Sequence, residues 1–492
     1  MPPASPTPLA PSHQKLAEQL VATWSHGSAT SSFPIVQLCG SEVTAKYSIA
    51  AAACASVGFN LNVMEASILP ANPHELNRLI QRWFREALLT NSALLLNCDE
   101  VNQADPVREF AISQFIENLN SPLIVSSQER QHPRQRPLIT FDVPHLTHSE
   151  QLAIWKSNLG TAAAELNGQV EALASQFNLS TPAIVAACLK VKGEMGKGEE
   201  GETSESPIQN PLWDICRTMA RPRLDDLAQR IDSTATWEDL VLPEQQRQTL
   251  KDIRAHVQQR AKVYQNWGFA GKGGRGLGIS ALFSGASGTG KTMAAEVLAQ
   301  ELHLDVYRID LSAVVSKYIG ETEKNLRRIF DAAETGGAIL LFDEADALFG
   351  KRTEVKDSHD RHANVEVSYL LQRMEAYQGL AILTTNLKGS LDQAFLRRIR
   401  FVVSFPFPDA TGRAEIWQRI FPSLTPTEGL DVNKLAKLNA AGGNIRNIGL
   451  NAAFLAADAG EPVMMKHILQ AARREYVKME KTLTDVEIRG WV

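Results

Sequence analysis

The chain has 492 residues, of which 44% are hydrophobic and 21% are charged, and its formal net charge is −5. This length exceeds what one hydrophobic core supports, so about three or four structural units are expected. The mildly acidic balance gives no general attraction to nucleic acid or to anionic lipid, and neither is expected as a partner.

The N-terminal segment is not expected to be a secretory signal. Residues 1–13 are rich in Pro, Ser and Ala and contain no basic residue ahead of an apolar core, so residues 1–15 are expected to form a disordered tail. The nearest candidate for a membrane span, residues 49–59, is too short and mostly Ala. The five cysteines show no CxxC spacing, so neither a metal nor a disulfide framework is expected. These features predict a cytoplasmic protein without a membrane contact.

The first chemical motif is a worn phosphate-binding loop. An apolar strand-like run ends at Cys39, and residues 40–47 then follow the pattern GxxxxGK[ST] with two losses. Ala45 replaces the glycine before Lys46, which adds a Cβ where phosphate must come close. Tyr47 replaces the small hydroxyl residue that would hold a metal. Binding of Mg²⁺ and ATP at this loop should be weak or absent.

A change of composition separates the two halves of the chain. Residues 193–207 are rich in Gly, Glu and Ser and have no apolar periodicity, which is typical of a flexible linker. Residues 212–230 regain apolar spacing and are expected to lead into the second half as a helix. The linker region as a whole is placed at residues 193–230.

The second half carries the same motif with no mismatch. The apolar run 279–283 precedes it as a predicted strand, and apolar residues at helical spacing follow it. A glycine-rich turn at a helix N-terminus directs backbone N–H groups toward phosphate, with the lysine on the β/γ oxygens and the hydroxyl on Mg²⁺. A flexible Gly/Ser loop that binds nothing is the weaker alternative. The predicted ligand residues are Gly285, Ser287, Gly288, Thr289, Gly290, Lys291 and Thr292.

Polar side chains end the next two apolar strands. Asp343 follows one of them and can hold Mg²⁺ through water, while the adjacent Glu344 can polarise the water that attacks the γ-phosphate. Asn386 ends the following strand and could also touch that water. A polar strand end and a turn asparagine are the plain alternatives.

The spacing of these residues indicates an internal duplication. Lys46 and Asp99 are 53 residues apart, and Lys291 and Asp343 are 52 apart. In both copies the aspartate ends an apolar run and is followed by glutamate. A polar insertion at residues 350–363 accounts for the one large offset between the copies.

The motifs in order resemble the AAA branch of the AAA+ ATPases over about residues 236–476. The likeness rests on residues 237–240, the phosphate loop, residues 317–321, FDEAD at 342–346, TTN at 384–386 and residues 396–401. Residues 16–192 are identified as a degenerate module of this kind in tandem. Within the branch, the chain is similar to the AAA ATPases encoded with phage-tail-like contractile injection systems.

This resemblance implies the fold. It predicts an α/β protein of two tandem P-loop AAA+ modules, each with a parallel-sheet core and a small helical lid. In the second module the core is placed at residues 231–406 and the lid with the C-terminal tail at residues 407–492.

The resemblance also implies roles. Lys291 and Thr292 match Walker A, Asp343 and Glu344 match Walker B, and Asn386 matches sensor 1. Arg397 and Arg400 match the two arginines that the family offers to a neighbouring subunit's nucleotide, although Ile399 stands where the family usually has Gly. An arginine acting in trans requires an oligomer.

Further positions match the family less specifically. Asp239 and Leu240 align with a segment against adenine, for which an acidic loop cap is the alternative. Arg446 lies in the sensor 2 region, where a solvated helix position is equally plausible. Tyr318 and Ile319 match the aromatic pore loop that grips a peptide; a core tyrosine is the alternative. Residues 351–362 would be a second pore-facing loop or a solvated hairpin.

The expected function is an ATP- and Mg²⁺-dependent remodeller that forms a homo-oligomeric ring, expected to be a hexamer, and pulls on protein clients. A zinc protease is disfavoured because His74 and Glu75 lack the second histidine of HExxH. An ATP-switched assembly scaffold and a nucleic-acid motor remain as alternatives. The intact Glu344 argues against the first, and the acidic composition argues against the second.

Overall fold

The computed structural model describes residues 9–27, 33–99, 106–130, 136–160, 163, 166, 168–195, 211–225, 227–269, 277–314, 321–345, 358–386 and 393–491. The chain divides into two compact units, unit 1 at residues 1–216 and unit 2 at residues 217–492. Each unit is described by itself.

Unit 1 is built on a parallel sheet. Its described strands are β1 (Ile35–Cys39), β2 (Asn60–Glu65), β3 (Ser92–Asn97), β4 (Leu123–Ser127) and β5 (Leu138–Asp142). They lie in the order β2-β3-β4-β1-β5 and pair in parallel throughout. The central strands β1, β3 and β4 are buried along their whole length, as their near-continuous apolar sequences require of strands covered on both faces.

The helices of unit 1 begin and end at recognisable sequence signals. The Ala-rich helix after the worn loop ends at Gly58, which has a left-handed φ of 78°. The helix that begins the second half of the unit has a capping box formed by Thr147 and Glu150. The described helices are α1 (Pro11–Gly27), α2 (Val43–Val57), α3 (Pro73–Thr90), α4 (Pro106–Asn118), α5 (His148–Leu159), α6 (Gln169–Gln176), α7 (Thr181–Met195) and α8 (Pro211–Ala220), in which the unit ends.

Helix α1 corrects the expected N-terminal tail. It begins at Pro11, so the prediction of disorder is wrong for residues 11–15. The Ser12 N–H donates to Glu150 at 2.7 Å, and the buried His13 ring lies 3.0 Å from the carbonyl oxygen of Pro144. These partners are more than 130 residues away in sequence, which is why local composition did not reveal the helix.

The expected linker begins later than predicted, because residues 193–195 belong to helix α7 (Thr181–Met195) and the prediction of a flexible segment is wrong for them. Residues 196–210 lie outside the described residues, residues 211–220 and 222–225 are helical, and residues 229–231 form a strand. The helix expected over residues 212–230 is therefore present for its first part only.

Unit 2 is built on a second sheet. Its described strands are β6 (Gln229–Ile231), β7 (Ile279–Ser284), β8 (Val306–Asp310), β9 (Ile339–Asp343), β10 (Leu380–Thr385) and β11 (Phe401–Ser404). The order is β11-β7-β10-β9-β8-β6, with β6 antiparallel at the edge and the rest parallel. If the strands are numbered from the one before each phosphate-binding loop, the five parallel strands of both sheets lie in the order 5-1-4-3-2, and β6 is an additional edge strand of the second sheet. The predicted pair of parallel-sheet α/β modules is thus confirmed.

The helices of unit 2 cover this sheet and then form a separate helical cluster. Those of the core are α9 (Pro222–Asp225), α10 (Glu244–Ala261), the π-helical turn Lys262–Asn266, α11 (Lys291–Leu302), α12 (Leu311–Val314), α13 (Glu321–Gly336), α14 (Ser358–Ala376) and α15 (Gln393–Leu396). The cluster contains α16 (Ala410–Arg419), α17 (Val432–Leu435), α18 (Gly442–Ala459), α19 (Met465–Lys478) and α20 (Asp485–Ile488). It has its own apolar core around the buried Trp417 and Ile448, which corresponds to the predicted lid.

The two units repeat one another at the level of backbone hydrogen bonds. The N–H of Gly40 donates to Ser127, and that of Gly285 donates to Thr385, both at 3.1 Å. A Cβ on Gly40 would lie 2.7 Å from a carbonyl oxygen of the residue after β5, and one on Gly285 would lie 2.3 Å from the equivalent oxygen after β11. Glycine is needed at this position in both copies because the backbone behind it is so close.

In the described part of the chain, no helix is both long enough and apolar enough to cross a bilayer. The five cysteines carry free thiols, and four of them are buried.

Candidate nucleotide-binding site

The phosphate-binding loop joins the carboxyl end of β7 to the first residue of α11. Gly288 and Gly290 adopt φ angles of 76° and 98°, which a side chain with a Cβ rarely tolerates. The first N–H groups of a helix have no acceptor within that helix, so the start of α11 can bind an anion. The loop therefore has the backbone shape that a phosphate requires.

Lys291 reaches across this loop to the end of β10. Its ammonium group donates to the carbonyl oxygens of Gly285 at 2.6 Å and Ala286 at 3.0 Å, and to Oδ1 of Asn386 at 2.8 Å. The side chain is partly exposed. The structure thus brings together two residues that the sequence predicted for one site, although they are 95 positions apart.

Asp343 at the end of β9 is held by three protein groups. The hydroxyl of Thr384 donates to its Oδ1 at 2.6 Å, and the N–H of Glu344 lies 3.2 Å from the same oxygen. Its Oδ2 forms an ion pair with the Arg308 guanidinium at 2.7 Å. Both oxygens of the predicted metal ligand are therefore engaged, one by a neutral hydroxyl and one by a cation.

Glu344 has an unusual backbone. Its φ is 53°, in the left-handed region that few residues other than glycine adopt, and its side chain is exposed. Its N–H also lies 3.2 Å from the Thr384 hydroxyl. Strained backbone of this kind concentrates at functional positions, where surrounding contacts maintain it.

These residues fit Mg²⁺ and ATP. The glycine loop leaves the close approach that phosphate needs, and the carboxylate and hydroxyl oxygens are ligands that Mg²⁺ prefers. Bound Mg²⁺·ATP would supply an electrophilic γ-phosphate. Thr292 and Asp343 would hold the metal, Lys291 the phosphate oxygens, Glu344 would accept a proton from the attacking water, and Asn386 would orient that water.

Comparison with known families agrees with this geometry. Residues 281–409 match the ATPase family associated with various cellular activities (AAA), and this range contains the loop, Asp343, Glu344 and Asn386. The chain carries an AAA ATPase domain. Residues 147–222, which include α5 to α8, match the contractile injection system ATPase helical domain. The resemblance identified from the sequence motifs is confirmed.

Curated relatives are similar over the AAA domain. The chain is 33% identical over 210 residues to the proteasome-activating nucleotidase of Methanopyrus kandleri, covering 41% of this chain and 48% of that protein. It is 30% identical over 210 residues to the proteasome-activating nucleotidase of Saccharolobus solfataricus, covering 41% and 53%. It is 31% identical over 211 residues to the 26S proteasome regulatory subunit 10B of Dictyostelium discoideum, also covering 41% and 53%. The chain spans about half the length of these relatives.

The two residues aligned with the adenine segment have different surroundings. Leu240 is buried, and its δ1 carbon would lie 3.4 Å from a Cβ placed on Gly290. The carboxylate of Asp239 accepts hydrogen bonds from the N–H and the hydroxyl of Thr236, both at 2.8 Å. Leu240 therefore lies beside the loop of the AAA domain, whereas the hydrogen bonds of Asp239 are those of an acidic loop cap.

The helical lid touches the loop through glycine. The N–H of Gly443, at the start of α18, donates to the carbonyl oxygen of Gly288 at 2.9 Å. Arg446 follows on the same helix, and its charge opposes the burial that raises the pKa of Glu296 on α11. Arg446 is thus close to Glu296 on the helix that follows the loop.

The two arginines predicted to act in trans lie at the other end of the sheet. The N–H of Arg400 donates to the hydroxyl of Ser280 at 3.1 Å, which places it level with the second residue of β7. The loop begins five residues later at Gly285, so the two ends are separated by about 16 Å along the strand. Arg397 and Arg400 are both exposed. They are not brought to the site of their own AAA domain.

The worn site in unit 1 is closed. Lys46 is 0% exposed and donates to the carbonyl oxygens of Gly40 at 2.8 Å and Ser127 at 3.1 Å. It also forms an ion pair at 2.5 Å with Asp99, which is 2% exposed and accepts a hydrogen bond from Ser126. Burial lowers the pKa of Lys46, and the charge of Asp99 opposes that shift. The lysine that would hold phosphate is used by the protein itself.

Some predicted positions lie outside the described residues. These are the predicted pore residues Tyr318 and Ile319, residues 351–357 of the polar insertion, and Glu100 of the worn module.

Three residues that contact predicted functional residues have no role assigned from the sequence: Arg308, Thr384 and Tyr264. Arg308 is the one basic residue within strand β8, which could have drawn attention to it. Thr384 lies in the motif TTN at 384–386, but only Asn386 of that motif has an assigned role. Tyr264, which contacts Arg400, gives no sequence signal.

Proposed function

We propose that the chain is an ATP-hydrolysing protein remodeller that works as a homo-oligomeric ring. The observation that carries the proposal is the position of Arg397 and Arg400, which are exposed at the end of the sheet opposite to the phosphate loop. The backbone of Arg400 lies about 16 Å along the strand from the start of the loop, which is longer than an arginine side chain, so its guanidinium cannot touch the γ-phosphate bound by the same domain. The two arginines can serve the site of a neighbouring copy if the copies are arranged head to tail, an arrangement that closes into a ring.

The chemistry requires such groups. Charge on the equatorial oxygens of the transferred phosphoryl group must be neutralised in the transition state, and an arginine supplied in trans raises turnover by about 10³ to 10⁵. Lys291, Glu344 and the arginine pair thus meet three separate requirements, namely phosphate capture, water activation and charge neutralisation.

Mixing two inactive variants tests the arrangement. In Glu344→Gln subunits the arginines remain intact, and in Arg397→Ala subunits the water-activating glutamate remains intact. Mixed rings then contain complete sites where an Arg397→Ala nucleotide site meets a Glu344→Gln neighbour. ATP turnover should appear on mixing, with a maximum at intermediate ratios. If no ratio recovers turnover although size measurements show mixed assemblies, action in trans is wrong.

The proposed clients are proteins, and the proposed ring is a hexamer in the cytoplasm. Tyr318 and Ile319 would grip an extended segment in the pore, as the motif implies. Two comparisons support this direction: relatives named as proteasome-activating nucleotidases, and a helical segment matching a domain of contractile injection system ATPases. We therefore place the client within a contractile injection assembly, which the protein would help assemble or take apart.

The alternative of an ATP-switched scaffold makes a different demand on Glu344. A scaffold needs ATP binding only, so Glu344→Gln should support its function, whereas a remodeller with this substitution should hold ATP and client together without releasing the client. Two steps separate the alternatives. The Glu344→Gln variant is first used to pull down a purified injection-system component. The variant is then exchanged for wild-type protein, and release of the component is measured.

A further inference from the structure

A tyrosine outside the predicted motifs holds one of the two arginines. The Nη1 group of Arg400 donates to the hydroxyl of Tyr264, and the guanidinium carbon lies 5.9 Å from the centroid of the tyrosine ring. Such a contact combines a hydrogen bond to the hydroxyl group with attraction of the guanidinium to the aromatic ring. The side chain of an exposed arginine is thereby tied to its own subunit.

The backbone around Arg400 is fixed by the same region. Its N–H donates to Ser280, and the next residue, Phe401, packs its ring edge-on against His256 at a centroid distance of 4.9 Å. His256 lies on α10, and Tyr264 lies in the π-helical turn that continues α10. Burial, and after it the charge of Arg400, lowers the pKa of His256, so this ring adds no competing positive charge at neutral pH. Helix α10 and the π-helical turn that continues it thus support both Arg400 and Phe401.

The π-helical turn strengthens the assignment. Residues 262–266 depart from α-helical geometry at the point where Tyr264 must reach the arginine. Such turns are rare and occur often at functional positions, because the extra residue shifts the side chains that follow. No residue of this turn is buried, so the turn does not pack into the hydrophobic core. Its Tyr264 contacts the arginine instead.

We propose that Tyr264 is a positioning residue for Arg400 that pre-orients the guanidinium toward the nucleotide of the neighbouring subunit. This inference rests on the proposed action of the arginines in trans. A guanidinium has five N–H donors in a rigid plane, so a hydrogen bond to tyrosine is compatible with binding a phosphate oxygen. Restricting a long flexible side chain before the reaction lowers the entropy lost in the transition state.

Kinetics of the full-length protein test the proposal. Tyr264→Phe removes only the hydroxyl group and should lower kcat about three- to ten-fold, while KM for ATP changes less than about two-fold, because the tyrosine does not touch the subunit's own nucleotide. In an Arg400→Lys background, which retains a charge but not the planar fork, the same substitution should have almost no further effect. In an Arg397→Lys background it should keep its full effect, and this is the matched control.

Mixing two kinds of subunit gives a second measurement, and a purely structural role of Tyr264 would not produce the result expected from it. Tyr264→Phe subunits mixed with Glu344→Gln subunits acquire neighbours with an intact Tyr264 and Arg400. Their turnover per active site should approach that of wild-type subunits mixed with Glu344→Gln at the same ratio. A defect that persists in mixed rings, or an equal loss in the Arg400→Lys and Arg397→Lys backgrounds, would overturn the role of Tyr264. If Arg400→Ala alone left turnover unchanged, the proposed function would fail instead, so the two failures are distinguishable.

Discussion

Replacing Lys46 by Ala should destabilise unit 1 without reducing ATP turnover. The ammonium group is fully buried, pairs with Asp99, and also donates to Gly40 and Ser127. Its removal leaves the Asp99 carboxylate buried, and in the described part of the chain its remaining side-chain partner is the hydroxyl of Ser126. Removing one member of a buried ion pair costs about 3–5 kcal/mol, since the other charge is left uncompensated.

Two measurements on the full-length chain report this loss. Amide hydrogen exchange in strands β1 and β4 should become about 10² to 10⁴ times faster if exchange follows opening of the unit, because each 1.4 kcal/mol is a factor of ten. The unfolding midpoint of a unit this size should fall by about 6–20 °C, at about 2–4 °C per kcal/mol. ATP turnover by the AAA domain, measured below that midpoint, should be nearly unchanged.

The double variant Lys46→Met with Asp99→Leu is the matched control. Replacing a buried ion pair by apolar residues of similar size is often neutral or stabilising, so the double variant should recover much of the lost stability. The reasoning would be refuted if Lys46→Ala left exchange unchanged. It would be refuted equally if Lys46→Ala abolished turnover while the assembly stayed intact, since the worn site would then be active.

Three further outcomes are expected. Lys291→Ala should abolish tight ATP binding with a stability change below about 1 kcal/mol, because its ammonium group is partly exposed; calorimetry would contradict this if binding persisted. Tyr318→Ala should leave basal ATP turnover intact and abolish unfolding of a folded client, and an unaffected unfolding assay would refute the pore assignment. Arg308→Gln should lower the Mg²⁺ concentration for half-maximal binding of a fluorescent ATP analogue about two- to five-fold, because the ion pair with Asp343 no longer competes with the metal. Arg230→Gln on the neighbouring strand should leave that concentration unchanged, and a higher Mg²⁺ requirement in Arg308→Gln would contradict the prediction.

Much of the fold and the nucleotide site could be predicted because their signals are local or repeated. The loop at residues 285–292 combines a motif with a preceding strand and a following helix, and all three are observed. The similar spacing of Lys46 to Asp99, 53 residues, and of Lys291 to Asp343, 52 residues, predicted a duplication. The five parallel strands of each sheet lie in the same order.

What could not be predicted depends on partners that are distant in sequence. The first turn of α1 is stabilised by contacts to Pro144 and Glu150, which composition around residue 12 does not reveal. The pair of Arg308 with Asp343 joins adjacent parallel strands, and the contact of Tyr264 with Arg400 joins residues 136 positions apart. Motif spacing located the chemical groups of the site, whereas the groups that orient them required the tertiary structure.

The central claim is that each chain has one working ATP site, formed by the AAA domain, and a closed copy of it. The most direct measurement is the number of ATP molecules retained per chain by the Glu344→Gln variant in the presence of Mg²⁺. We predict at most one ATP per chain, unchanged when Lys46→Ala is added and lost when Lys291→Ala is added. Two ATP molecules per chain, or loss of bound ATP on adding Lys46→Ala while the protein remains folded, would contradict the account.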